Sequence, residues 1–130
     1  MHQLESSQQT TVDVANEMRR LAKFWALKDA EAAGLFGVSD LAWAQIKSGA
    51  EVDDAECSDD VLERIDILSK SQRRLRDAFC GSDSRAETFL HMHSWGAPWD
   101  PAPPLKPMLE TGLPGIRAFG WYVRRLTRLL

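Results

Sequence analysis

Lys28-Asp29-Ala30-Glu31-Ala32-Ala33-Gly34-Leu35-Phe36-Gly37-Val38-Ser39-Asp40-Leu41-Ala42-Trp43-Ala44-Gln45-Ile46-Lys47-Ser48-Gly49 is the stretch that decides the fold. Its alanine-rich first half favours helix. Gly37 breaks that pattern, as a tight turn needs a residue tolerant of positive φ. Ser39 is a good N-cap for a second short helix, which Ser48-Gly49 ends. Small residues (Ala32, Ala33, Gly34) stand where two helices would touch, and Phe36 and Val38 flank the turn as core plugs. Trp43 and Ile46, three apart, bury the inner face of the second helix. This is the grammar of a helix-turn-helix.

In such a unit Ser39, Asp40, Ala44, Gln45 and Lys47 are left on the outer face as candidates for a DNA major groove. Lys28, with Arg19, Arg20 and Lys23 from the preceding segment, is placed to meet phosphates. Only Gln45 is a strong reader of base edges. The unit therefore reads either as a DNA-binding surface or as a dimerisation or packing scaffold.

Outward from this stretch the chain continues to read as helix. Val12, Ala15, Met18, Leu21 (or Ala22) and Trp25 recur at three- and four-residue steps and predict a helix over about 12–25. The clearest period is Val61, Ile65, Leu68, Gln72, Leu75 and Phe79, a long helix capped by Ser58 with Asp59 and Asp60 favouring its dipole. A short helix follows from Asp83 or Ser84 to about His91. The loop Trp95–Pro104 is too rich in proline for regular structure. A turn of helix at Leu105–Glu110 precedes a last helix over about 114–128, with Ile116, Phe119, Gly120, Val123, Leu126 and Leu130 on one side. The expected fold is all-α, without strands: a flexible tail over 1–11, a helix-turn-helix unit over 12–56, and a helical unit over 57–130 packed with it.

With 130 residues, 44% hydrophobic and 27% charged, the chain has room for one core without staples. The first residues lack the basic patch and apolar run of a secretory signal, and no stretch is long enough for a membrane span, so a cytoplasmic protein with no membrane partner is expected. Cys57 and Cys80 would be separated by roughly 35 Å of helix, too far to pair. The net charge of −3 is unevenly spread. Residues 53–66 are acidic, whereas Arg117, Arg124, Arg125 and Arg128 follow the last acid, Glu110. Such asymmetry marks partner surfaces, contacts between the two halves, or simply a solvated face. His91-x-His93 lacks the remaining ligands of a structural zinc site. No nucleophile elbow, Walker loop or His-Glu-x-x-His pattern is present. We therefore expect no metal, no cofactor and no enzymatic activity.

The terminus Trp121-Tyr122-Val123-Arg124-Arg125-Leu126-Thr127-Arg128-Leu129-Leu130 mixes the residue types that dominate binding hot spots. A helix places only one stripe in its own core. Trp121, Arg124, Arg125 and Arg128 fall largely on the other side, as a partner surface or as the solvated face of a capping helix. Trp95 and Trp99 read as core plugs or interface anchors.

Three ordered motifs now stand together. They are Trp25 before Leu35-Phe36-Gly37-Val38-Ser39; Leu62-Glu63-Arg64-Ile65 opening the long helix; and Pro104-Leu105, Met108-Leu109, Gly112 and Gly115-Ile116 before the last one. In order and spacing the chain from about Trp25 resembles the Xre/MbcA/ParS type of bacterial antitoxin. In place of that family's Trp-Leu pair and Pro-Asn turn it has Phe89-Leu90, His91-Met92-His93 and a proline-rich loop. The resemblance implies an Xre-like helix-turn-helix joined to a toxin-binding domain. It also implies a cognate toxin, often a RES-domain enzyme that degrades NAD⁺, and repression of the chain's own operon. The expected toxin-binding residues are Arg117, Trp121, Arg124, Arg125, Arg128, Leu129 and Leu130. A homodimer on palindromic operator DNA is expected by analogy. The alternative is a stand-alone helix-turn-helix regulator without a toxin partner.

Overall fold

The computed structural model describes residues 14–50, 57–79, 83–92, 99 and 102–128, and all regular structure among them is helical. In chain order the elements are α1 (residues 14–24), α2 (Asp29–Phe36), α3 (Asp40–Lys47), α4 (Asp59–Ala78), α5 (Asp83–Thr88) with a 3-10 turn (Phe89–His91), α6 (Leu105–Thr111) and α7 (Leu113–Arg128). The sequence placed these elements to within a few residues. Val12, the tail, the acidic residues 51–56, Cys80, His93, Trp95, Leu129 and Leu130 lie outside the described residues.

The long periodic segment forms the spine. Val61, Ile65, Leu68, Gln72 and Leu75 of α4 are buried, and Ser58 Oγ caps the helix by accepting from the Val61 N–H at 3.3 Å. Such a cap stabilises by about 1 kcal/mol. Helix α7 packs along α4, burying Ile116, Phe119 and Val123. Gly120 permits the close approach, since a Cβ there would meet Ile67 Cγ2 at 2.6 Å.

Phe119 is the hub of an aromatic cluster, with Trp25, Trp99 and Phe89 at centroid distances of 6.4, 6.3 and 6.1 Å. Trp99, which also meets Tyr122 edge-on, is partly buried and packs against the core. Trp25 is fully buried; its Nε1–H donates to the Ala86 carbonyl, and its own carbonyl accepts from His91 Nε2 at 2.7 Å. One continuous core therefore runs from α1 to α7, through both halves of the chain.

Three sequence expectations need correction. Gly34 was placed at the α2–α3 crossing, but it faces α6, where a Cβ would lie 3.1 Å from Leu109 Cδ2. Arg19 was a candidate phosphate contact. Its guanidinium instead reaches the end of α3, donating to the Ile46 and Ala50 carbonyls at 2.6 and 3.2 Å, and to Asn16. A cation there satisfies orphan carbonyls and opposes the negative end of the helix dipole. Arg20, also a phosphate candidate, is engaged with Glu17 and with Gln72 Oε1 at 2.8 Å.

Glu17 is the centre of this α1–α4 clamp, accepting in addition from Ser69 Oγ at 2.6 Å. The hydrogen bond from Arg20 holds its carboxyl below the ordinary carboxylate range, outweighing partial burial, and Ser69 adds to the effect. A depressed carboxylate contributes stability that is present above its unfolded pKa of about 4.3 and is lost as pH falls through the lower folded value. Glu17→Gln is expected to lower stability by about 1–2 kcal/mol at neutral pH, with the deficit vanishing in acid. Urea denaturation of both proteins across that range checks it; a pH-independent deficit would assign the loss to packing.

Candidate functional site

The α2–turn–α3 unit is built as its residues dictate. Gly37 closes α2 at φ +76°, and its N–H donates to the Ala33 carbonyl. Ser39 Oγ accepts from the Ala42 N–H at 3.1 Å and caps α3. Phe36 and Trp43 meet edge-on behind the turn, with Ile46 and Val38 buried beside them. Arg64, a residue the sequence did not single out for this role, completes the unit from α4. Anchored on Asp60, it donates to the Gly34 and Leu35 carbonyls at 3.2 and 3.4 Å. It thereby supplies the cation that the last turn of α2 lacks.

Lys28, Ser39, Asp40, Ala44, Gln45 and Lys47 are all exposed, as expected of a recognition face. Several are already occupied. The Ser39 hydroxyl oxygen holds its cap, and Lys47 Nζ donates to Asp29 Oδ1 at 2.9 Å. That oxygen also accepts from Trp43 Nε1, and together these bonds, led by Lys47, hold the Asp29 carboxyl below the usual range. The backbone N–H of Lys28 is taken by Glu31. Lys28 and Lys47 stand against Asp29, Glu31 and Asp40, a balance ill-suited to a phosphate backbone. With Arg19 and Arg20 withdrawn, the outer face centres on Ala44, Gln45 and Leu41, the last 71% exposed and not anticipated.

The second surface lies on α7. Trp121 is 55% exposed, and the Arg125 guanidinium lies over its ring, 4.6 Å from the centroid. Arg124 and Arg128 are exposed on the same helix. Cation–π stacking at an exposed site contributes about 0.5–1 kcal/mol, a modest bias of both groups toward this arrangement. Arg117, grouped with these residues from the sequence, is diverted. It pairs bidentately with Glu63 of α4, lowering the Glu63 pKa and raising its own. This pair links the acidic stretch to the basic terminus, so part of the charge asymmetry is a contact between halves.

Between α4 and α7 runs a groove of about 270 Å³, lined by Lys70, Ser71, Arg74, Trp121 and Arg124 among others. Sequence reasoning missed the α4 contributors, because Arg73-Arg74 reads as ordinary solvated charge. Among the described residues no group of three or more His, Cys, Asp or Glu is placed to hold a metal, and no helix is long and apolar enough to cross a membrane. No protein-family model matches the chain, and no curated protein matches it significantly.

Proposed function

We propose that the chain is an antitoxin, which neutralises a cognate toxin by direct binding through its C-terminal half and represses its own operon through the α2–α3 unit. The observation that carries this is the outward face of α7. Trp121 stands exposed beneath Arg125, and Arg124 and Arg128 extend the same side, while Ile116, Phe119 and Val123 fix the helix from behind. Exposed Trp and Arg are typical anchors of protein interfaces, and the cations suit an acidic partner surface. The ordered motifs that resemble the Xre/MbcA/ParS type suggest a toxin of the RES-domain, NAD-degrading kind; we place the chain itself in the cytoplasm, and a homodimer at the operator follows by analogy with other DNA readers.

For the α2–α3 unit alone a second reading has support. The exposure of Leu41 beside Ala44 and Gln45, amid balanced charge, favours contact with a second copy of the chain over contact with phosphates. A stand-alone regulator with no toxin partner is the competing function, and footprinting on its promoter beside co-expression with the neighbouring gene product separates the two.

Arg124→Glu combined with Arg128→Glu is expected to weaken toxin binding by about tenfold or more while circular dichroism and melting stay unchanged. Unaltered affinity in a pull-down moves the interface elsewhere. A neighbouring gene product that is harmless alone, or that never co-purifies with this chain, ends the antitoxin reading.

A further inference from the structure

Ser71 lies on α4 beside Gly120, where α7 comes close. The residue is 1% exposed, and its hydroxyl has no hydrogen-bond partner. Native proteins leave few buried hydroxyls unpaired, because desolvation without compensation is costly. The neighbouring buried polar groups of α4 are satisfied: Ser69 donates to Glu17, and Gln72 accepts from Arg20. Ser71 instead lines the α4–α7 groove. There Lys70 is paired with Asp66, and Arg117 with Glu63. Arg74 and Arg124 have no such partner among the described residues and leave the groove an excess of positive charge.

We propose that this groove binds a carboxylate, an Asp or Glu side chain of the protein that covers α7, with Arg74 and Arg124 as the cationic clamp and the Ser71 hydroxyl as donor on the floor. The inference rests on the reading of α7 as the partner face, to which Trp121 ties the groove by belonging to both. Charge complementarity selects an anion. A covering protein supplies its anions as Asp and Glu side chains, so the anion brought to this groove by such a partner is a carboxylate. A guanidinium fork matches the two oxygens of a carboxylate, and a hydrogen bond at the enclosed floor is strengthened by the low local dielectric.

The probes are the capped amino acids acetyl-Glu-methylamide and, as its neutral match, acetyl-Gln-methylamide, with inorganic phosphate as the dianion. Each is titrated into the full chain and followed by NMR at the Ser71 and Gly120 amides and the Trp121 indole. Saturable shifts are expected with the glutamate alone. Arg74→Ala is expected to weaken them about tenfold, Arg74→Lys less, and Ser71→Ala about threefold. Ser71→Ala breaks no bond in the free protein, so its melting should be unchanged. Absent shifts, shifts indifferent to Arg74→Ala, or tighter binding of phosphate at the same residues would overturn the carboxylate assignment. In the toxin pull-down, complexes weakened by the Arg124 and Arg128 reversal but not by Arg74→Ala or Ser71→Ala would leave the antitoxin reading standing and remove the groove. Glutamate binding to a chain that captures no toxin would do the opposite.

Discussion

Trp25→Ala is expected to destabilise the protein by about 3–5 kcal/mol, because an indole with no solvent exposure leaves a cavity as well as losing its transfer energy. Three connections go with it. The edge-on contact with Phe119 joins α1 to α7, a second contact meets Phe24, and Nε1–H is the donor to the Ala86 carbonyl. Domains of this size hold only about 5–15 kcal/mol in reserve, so thermal denaturation should shift downward by roughly 10–20 °C. Trp25→Phe restores much of the volume but not the hydrogen bond and should recover over half of the loss. A cost below about 1 kcal/mol would mean that the two halves are not joined at this residue.

Gly115→Val is the second large effect. A Cβ at Gly115 would lie 2.8 Å from the Pro107 carbonyl oxygen and 3.0 Å from Met108 Cα, both backbone, so the α6–α7 elbow itself must open. Overpacking of this kind costs about 3 kcal/mol or more. As α6 shifts, Leu109 lifts from Gly34 and Met108 leaves the core, while the face bearing Trp121 turns with α7. Partner affinity should fall together with stability in urea, although no contact residue has changed. A variant of native stability would show that the elbow yields by small backbone adjustments.

The fold was largely legible because its signals are local. The apolar step of α4, the Gly37 break and the Ser39 and Ser58 caps each act within one or two turns of chain. The roles of Arg19, Arg20 and Arg64 were not, since a long cation looks alike in sequence whether it faces water or crosses to a carbonyl 27 residues away, as Arg19 does at Ile46. Of the binding candidates, helical phase alone put Trp121, Arg124, Arg125 and Arg128 on the outer side of α7. It could not show that Glu63 stands opposite Arg117. Ser69 and Ser71 escaped notice because α4 is covered on two flanks, by α1 and by α7, which widens its buried face beyond the apolar stripe.

Arg64 fits against both Gly37 and Gly112: a Cβ at 37 would lie 2.9 Å from its Nε and 3.0 Å from its Cζ, and one at 112 would lie 3.1 Å from its Nη2. Among related sequences positions 64 and 37 should therefore drift as a pair. If the arginine is lost, position 37 gains room, and its φ of +76° with ψ of 29° is a conformation asparagine also tolerates. Position 112, at φ 71° and ψ −135°, gains nothing, because that backbone lies close to a region essentially restricted to glycine. An alignment of descendants should show asparagine at 37 only where 64 has changed, and glycine at 112 throughout.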